Sequence, residues 1–150
     1  MNRLSRRKEL IHHFFQVSRT MTNDLNHRLA AFKLTHGQLA ILEYLLQKEE
    51  ATSLVDIAKY LNVEKSTITR AVKHLETNHY IVHVPSKDHR ERRIKLSEAS
   101  YEILSSLQQT KDTFENTVFR NISDEELDIT YQTLLKILNN LNGDEHALYD

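Results

Sequence analysis

Two neighbouring stretches hold the side chains that could do chemistry. Residues 85–98, PSKDHRERRIKLSE, carry Lys87, Arg90, Arg92, Arg93 and Lys95, interrupted by Asp88 and Glu91. Just upstream, EKSTITRAVKHLETN sets Lys65, Ser66, Thr67, Thr69, Arg70 and Lys73 around an apolar stripe of Ile68, Ala71, Val72 and Leu75. Such groups bind a polyanion. Cations displace counterions from phosphates, arginine forks onto paired acceptors, and small hydroxyls permit close approach. Neither stretch is specific alone, because an outward Lys/Ser/Thr/Arg face is most often simply solvated. Their order and spacing are what narrow the reading.

The elements that position them follow from periodicity. Residues 8–31 place Leu10, Phe14, Val17, Met21, Leu25 and Leu29 three and four apart, which predicts one long amphipathic helix. Thr35 and Gln38 form a capping box that opens a second helix, and Ser53 and Asp56 open a short third one. Asn62-Val63 makes a brief turn before the helix 65–78. YIVHVP and RRIKLS then read as two strands of a hairpin with the charged loop at its tip. Ser97 caps a long fifth helix. Ser123 and Glu126 form a second capping box that starts a sixth, and the tail GDEHALYD reads as frayed. The fold class expected is mainly α: six helices and a two-stranded β-hairpin wing, a winged helix-turn-helix.

Composition agrees and excludes alternatives. Two glycines and one proline in 150 residues are too few for a sheet joined by many tight turns. The formal charge of −1 hides an asymmetry: residues 1–55 are net +3, residues 56–96 net +4, and residues 97–150 net −8. A polyanion would meet the middle and the N-terminal part. No apolar run approaches the ~18 residues of a membrane span, and MNRLSRRKELIHHFFQ lacks the features of a signal peptide, so a cytoplasmic protein with no membrane partner is expected. Without cysteine there is no disulfide, thiolate metal site or thiol sensor. No glycine-rich phosphate loop, nucleophile–base set or paired carboxylates suggest an enzyme. Asp124, Glu125 and Glu126 read as helix-start charges. The histidines show no ligand spacing: His12 and His13 are adjacent, and His27, His36 and His146 are scattered. No metal or cofactor is therefore expected, a His/Glu zinc site assembled in a dimer being the alternative. His74, His79, His83 and His89 read as solvated or close to DNA.

In this order the two stretches make a reading helix for the major groove and a basic tip that reaches a neighbouring minor groove. LVDIAKYLNVEKSTITRAVKHLETNHYI and DHRERRIKLS resemble the DNA-binding core of the MarR (multiple antibiotic resistance regulator) family. The family pattern is matched by Lys65-Ser66-Thr67-Ile68-Thr69-Arg70, Leu75-Glu76, Asp88-His89-Arg90 and Ile94-Lys95-Leu96-Ser97. With LTHGQLAILEYL at 34–45, the resemblance covers nearly all the chain. It implies a single domain over 1–150, with a DNA-binding lobe at 34–97 and dimerisation helices at 5–33 and 98–143. It also implies that Lys65, Ser66, Thr67, Thr69, Arg70 and Lys73 contact bases or phosphates. In the wing, Lys87, Asp88, Arg90 and Arg92 are the implied DNA-binding set, Arg90 entering the minor groove and Asp88 bracing the arginines. Arg92, Arg93 and Lys95 are candidates for phosphate contact, with solvation the alternative. The chain departs from the pattern where the family usually has glycine: Asn78-His79 follows the reading helix, and Ser100 follows the wing.

The helices outside the lobe hold more apolar surface than it can cover. Phe14, Phe15, Leu107, Phe114, Phe119, Leu134 and Leu138 call for a partner, or for an intramolecular three-helix pack. The resemblance favours a symmetric homodimer on an inverted repeat, with reading helices roughly 34 Å apart. It further implies a repressor that releases double-stranded DNA when a small-molecule effector enters a cleft, for which Phe32, His36 and Tyr44 are candidates. The rival reading is a helical dimer whose helix-turn-helix contacts only protein.

Overall fold

Helix ends organise this chain. In the computed structural model, residues 2–85 and 91–149 are described, the stretch 144–149 by its backbone alone. Lys87, Asp88, His89 and Arg90 lie outside the described residues. The elements are α1 (Arg3–Leu29), a 3₁₀ turn (Ala30–Phe32), α2 (His36–Leu46), β1 (Thr52–Ser53), α3 (Leu54–Leu61), α4 (Lys65–Thr77), β2 (Ile81–Val84), β3 (Arg93–Leu96), α5 (Glu98–Val118) and α6 (Asp124–Tyr149). Six helices and a small wing sheet match the expected class. The chain divides into two compact units, Met1–Phe114 and Glu115–Asp150, and each is taken by itself.

Helix starts follow their sequence signals. Thr35 Oγ1 accepts from Gln38 N, and Gln38 Oε1 accepts from Thr35 N. Ser53 Oγ accepts from Asp56 N at 3.1 Å, which caps α3. In the second unit, Ser123 and Glu126 exchange the same reciprocal bonds at the start of α6. That helix runs on to Tyr149, through the stretch read as frayed.

Helix ends are where the scarcity of glycine matters. Lys33, Asn62, His79 and Asn121 all have positive φ, near 60°, a conformation usually left to glycine. Three of them close the six-to-one hydrogen bond that seals a helix terminus: Leu34 N to Leu29 O, Val63 N to Ala58 O, and Tyr80 N to Leu75 O. His79 takes the place of the family's glycine in this way. Ser100 is buried and fits because its hydroxyl donates to Ser97 O at 2.6 Å.

The wing has three strands rather than two. β3 pairs with β2 and, on its other edge, with β1, in the antiparallel order β1-β3-β2. The register sets Thr52 against Ile94 and Ile81 against Leu96. β1 is too short to show a period of two, and it exists because β3 offers it an edge. The sheet and α2–α4 enclose one core of Leu29, Leu39, Ile41, Leu45, Ile57, Ile68, Val72, Leu75, Ile81 and Ile94, joined by Leu107 from α5.

Candidate nucleic-acid interface

Helix α4 buries Ile68, Val72 and Leu75 and turns its polar residues outward, as its 3.6-residue period requires. Lys65, Ser66, Thr67, Arg70 and Lys73 are exposed, and Thr69 is half-buried. Thr69 Oγ1 donates to Lys65 O at 3.0 Å, which holds its methyl group and remaining lone pair in one orientation. Among the described residues, no hydrogen bond or ion pair engages the side chains of Lys65, Ser66, Thr67, Arg70 or Lys73. These cations and hydroxyls are thus presented by a rigid helix and left uncommitted. The helix also starts without a side-chain cap, since Glu64 at the N-cap makes no such bond.

The described parts of the wing sort its arginines into two kinds. Arg93 is internally engaged: Nη1 donates to Ala51 O at 3.2 Å and Nη2 to Glu91 Oε2 at 3.1 Å. It holds the approach to β1 against β3, a bracing task that the sequence reading did not assign to it. Arg92 is exposed, with Nη2 3.1 Å from His83 Nε2. The same His83 nitrogen lies 3.0 Å from Glu76 Oε2. A proton on Nε2 ties β2 to α4 through Glu76, while a lone pair there receives Arg92. His83 therefore links wing and reading helix rather than being simply solvated. His74 is likewise engaged: its Nε2 lies 2.9 Å from Lys33 O.

In the single chain the three residues read as lining a cleft border separate hollows. His36 borders a cavity of about 400 Å³ between the start of α2 and helices α3 and α4, with Gln38, Ile41, Leu61, Thr67 and Arg70. Phe32 borders a different cavity with Arg28 and Thr110. Tyr44 is buried, its ring 4.6 Å from that of Tyr60 and with Lys48 above it. Sequence reasoning missed Thr67 and Arg70 as cavity-lining residues. Helical period marks both only as outward, and the other walls of the cavity come from α2 and the end of α3, distant in sequence.

Of the residues read as dimer-forming, Phe14, Phe15, Phe119, Leu134 and Leu138 are exposed in the single chain. Phe114 is half-buried beneath the Arg28 guanidinium, 5.9 Å from the ring centroid. Leu107 is 3 % exposed and already belongs to the lobe core. Among the described residues, no three His, Asp or Glu side chains converge on a possible metal position, and no helix is long and apolar enough to cross a membrane.

Residues 34–100 match the family described as a winged helix DNA-binding domain. A Bacillus subtilis (strain 168) protein described as the uncharacterized HTH-type transcriptional regulator YwoH is 29% identical over 119 residues, covering 79% of this chain and 86% of its own. Among solved structures, the S. aureus MepR–DNA complex is similar at TM-score 0.80 and 25% identity, covering 88% of this chain and 97% of that one. A mutant MarR from E. coli complexed with operator DNA is similar in fold, at TM-score 0.79 and 19% identity, over 92% and 99% of the two chains.

Proposed function

We propose that this chain is a DNA-binding transcriptional regulator of the MarR type, working in the cytoplasm as a homodimeric repressor that holds an inverted-repeat operator and releases it to a small-molecule effector. The observation that carries the reading is the contrast between an uncommitted polar face on α4 and apolar faces on α1 and α6 left open. In α1, Leu10, Ile11, Phe14, Phe15 and Val17 are exposed, and in α6 so are Ile129, Leu134, Leu138 and Leu141. Covering an exposed leucine or phenylalanine is worth about 1.5–3 kcal/mol, so faces of this size favour a partner. A second copy supplies the matching faces, and its symmetry explains a two-fold operator.

In the complex Arg70 and Lys73 meet base edges or phosphates from within the major groove, while Lys65, Ser66, Thr67 and Thr69 fix the register on the backbone. Lys87, Asp88, Arg90 and Arg92 form the wing's contribution, with Arg90 in the minor groove. An effector acts by binding the DNA-incompetent arrangement more tightly. The cavity beside Thr67 and Arg70 offers a direct route, because an apolar molecule lodged there shares side chains with the DNA contact.

Fluorescence anisotropy on a duplex recovered by selection from a random pool tests the reading, with light scattering for the mass. A dimer that binds one inverted repeat, with affinity falling steeply as salt rises, supports it. A folded dimer that recovers no duplex points instead to a helix-turn-helix used for protein contact.

A further inference from the structure

The end of α1 and the end of α4 meet. Both are closed by a left-handed residue, Lys33 after the 3₁₀ turn and His79 after α4. Where the chain leaves α1 for the lobe, the consecutive residues Phe32 and Lys33 present their carbonyls to the end of α4. Each is taken by a side chain from the end of α4. Tyr80 Oη donates to Phe32 O at 2.6 Å, and His74 Nε2 reaches Lys33 O at 2.9 Å. A lone pair on that nitrogen would face a carbonyl, so the proton sits on Nε2. Asn78 lies 3.1 Å from the same nitrogen and donates instead to His74 O at 3.0 Å. Burial pushes the Tyr80 phenol above its ordinary value of 10.0, so it remains a donor. Neither side chain is among the uncommitted groups of α4.

We propose that His74 and Tyr80 are positioning residues for DNA binding: by holding the Lys33 and Phe32 carbonyls they fix the angle at which α1 leaves the lobe, and so the separation of the two reading helices in the dimer. The inference rests on the homodimer proposed above. It follows from where the bonds lie. The turn at 30–35 is the covalent link between α1 and the lobe; Leu29 before it and Leu34 within it pack in the core, and His36 N donates to Asn26 Oδ1 at 2.7 Å across it. The two side-chain bonds add the polar tie from the turn to the end of the reading helix itself. An interaction at either end of that tie reaches the other without crossing the core.

The absence of cysteine allows a direct test. Full-length chain with Lys59→Cys as its sole thiol, spin-labelled on exposed α3, reports the distance between labels on the two protomers. It is compared with the same chain carrying Tyr80→Phe and His74→Leu. The parent gives one narrow distance distribution, and the double variant broadens it roughly twofold. Its affinity for the inverted repeat selected by the parent falls roughly tenfold, as expected for two lost hydrogen bonds. Affinity for a single half-site stays within about twofold. Restoring a donor at one position with His74→Gln recovers part of the narrowing. A double variant with the parent's narrow distribution overturns the proposal, and so does equal loss on half-site and full operator, which marks general damage to the lobe. A parent that is monomeric gives no distance at all and overturns the dimer reading together with this one.

Discussion

The lobe and the helices that flank it are built from the same apolar residue types, yet they treat them oppositely. In the lobe Leu75, Val72 and Ile57 lose essentially all contact with water, enclosed by three helices and a small sheet. In α1, Phe15 keeps 63 % of its surface exposed, and in α6 Leu138 keeps 52 %. Amphipathic periodicity is therefore a promise of burial that one chain keeps in one region only. On the proposed homodimer, the lobe's stability is intramolecular, whereas that of the flanks is set by concentration.

The contrast can be broken most forcefully at Leu75. Leu75→Ala is expected to cost about 2–5 kcal/mol in urea unfolding, independent of protein concentration. Phe15→Ala is expected to weaken self-association by about 1–3 kcal/mol, read by sedimentation equilibrium, while leaving the lobe's own unfolding unchanged. If the two substitutions cost the same at all concentrations, the division between lobe and flanks is wrong. Arg70→Ala sharpens the contrast from the DNA side. It should lose about 1–3 kcal/mol of operator affinity with little change in the thermal midpoint, because its guanidinium bonds to nothing else among the described residues. Ser123→Ala removes the cap of α6 and should cost about 1 kcal/mol, seen as lower helicity in circular dichroism on heating. His79→Gly runs the other way. Relief of the left-handed strain should raise stability by up to about 1 kcal/mol in the same urea assay.

How much of this the sequence displayed depended on distance along the chain. Both capping boxes, the Ser53 start and the left-handed end at Asn78-His79 involve residues three or four apart, and all could be read. The outward set on α4 was legible for the same reason, because helical period assigns faces. β1 was not, since Thr52 and Ser53 become a strand only when β3 lies beside them. The histidines at 74 and 83 looked like surface residues because their partners sit on other elements. Leu107 looked like an interface residue because a helical stripe does not say which neighbour covers it. Phe32, His36 and Tyr44 are near one another in sequence, yet in the single chain each borders a different hollow.

The bond from Arg93 to the carbonyl of Ala51 spans 42 residues. On the ribosome, where chains grow by roughly 5–20 residues per second, β1 waits roughly 2–8 s for the strand that completes it. During that interval α2 and α3 have emerged with their apolar faces uncovered on one side. The lobe can close only once β3 has left the exit tunnel, by which time the N-terminal helix has long been waiting. A chaperone that shields nascent chains would meet this protein in that window, before any DNA does.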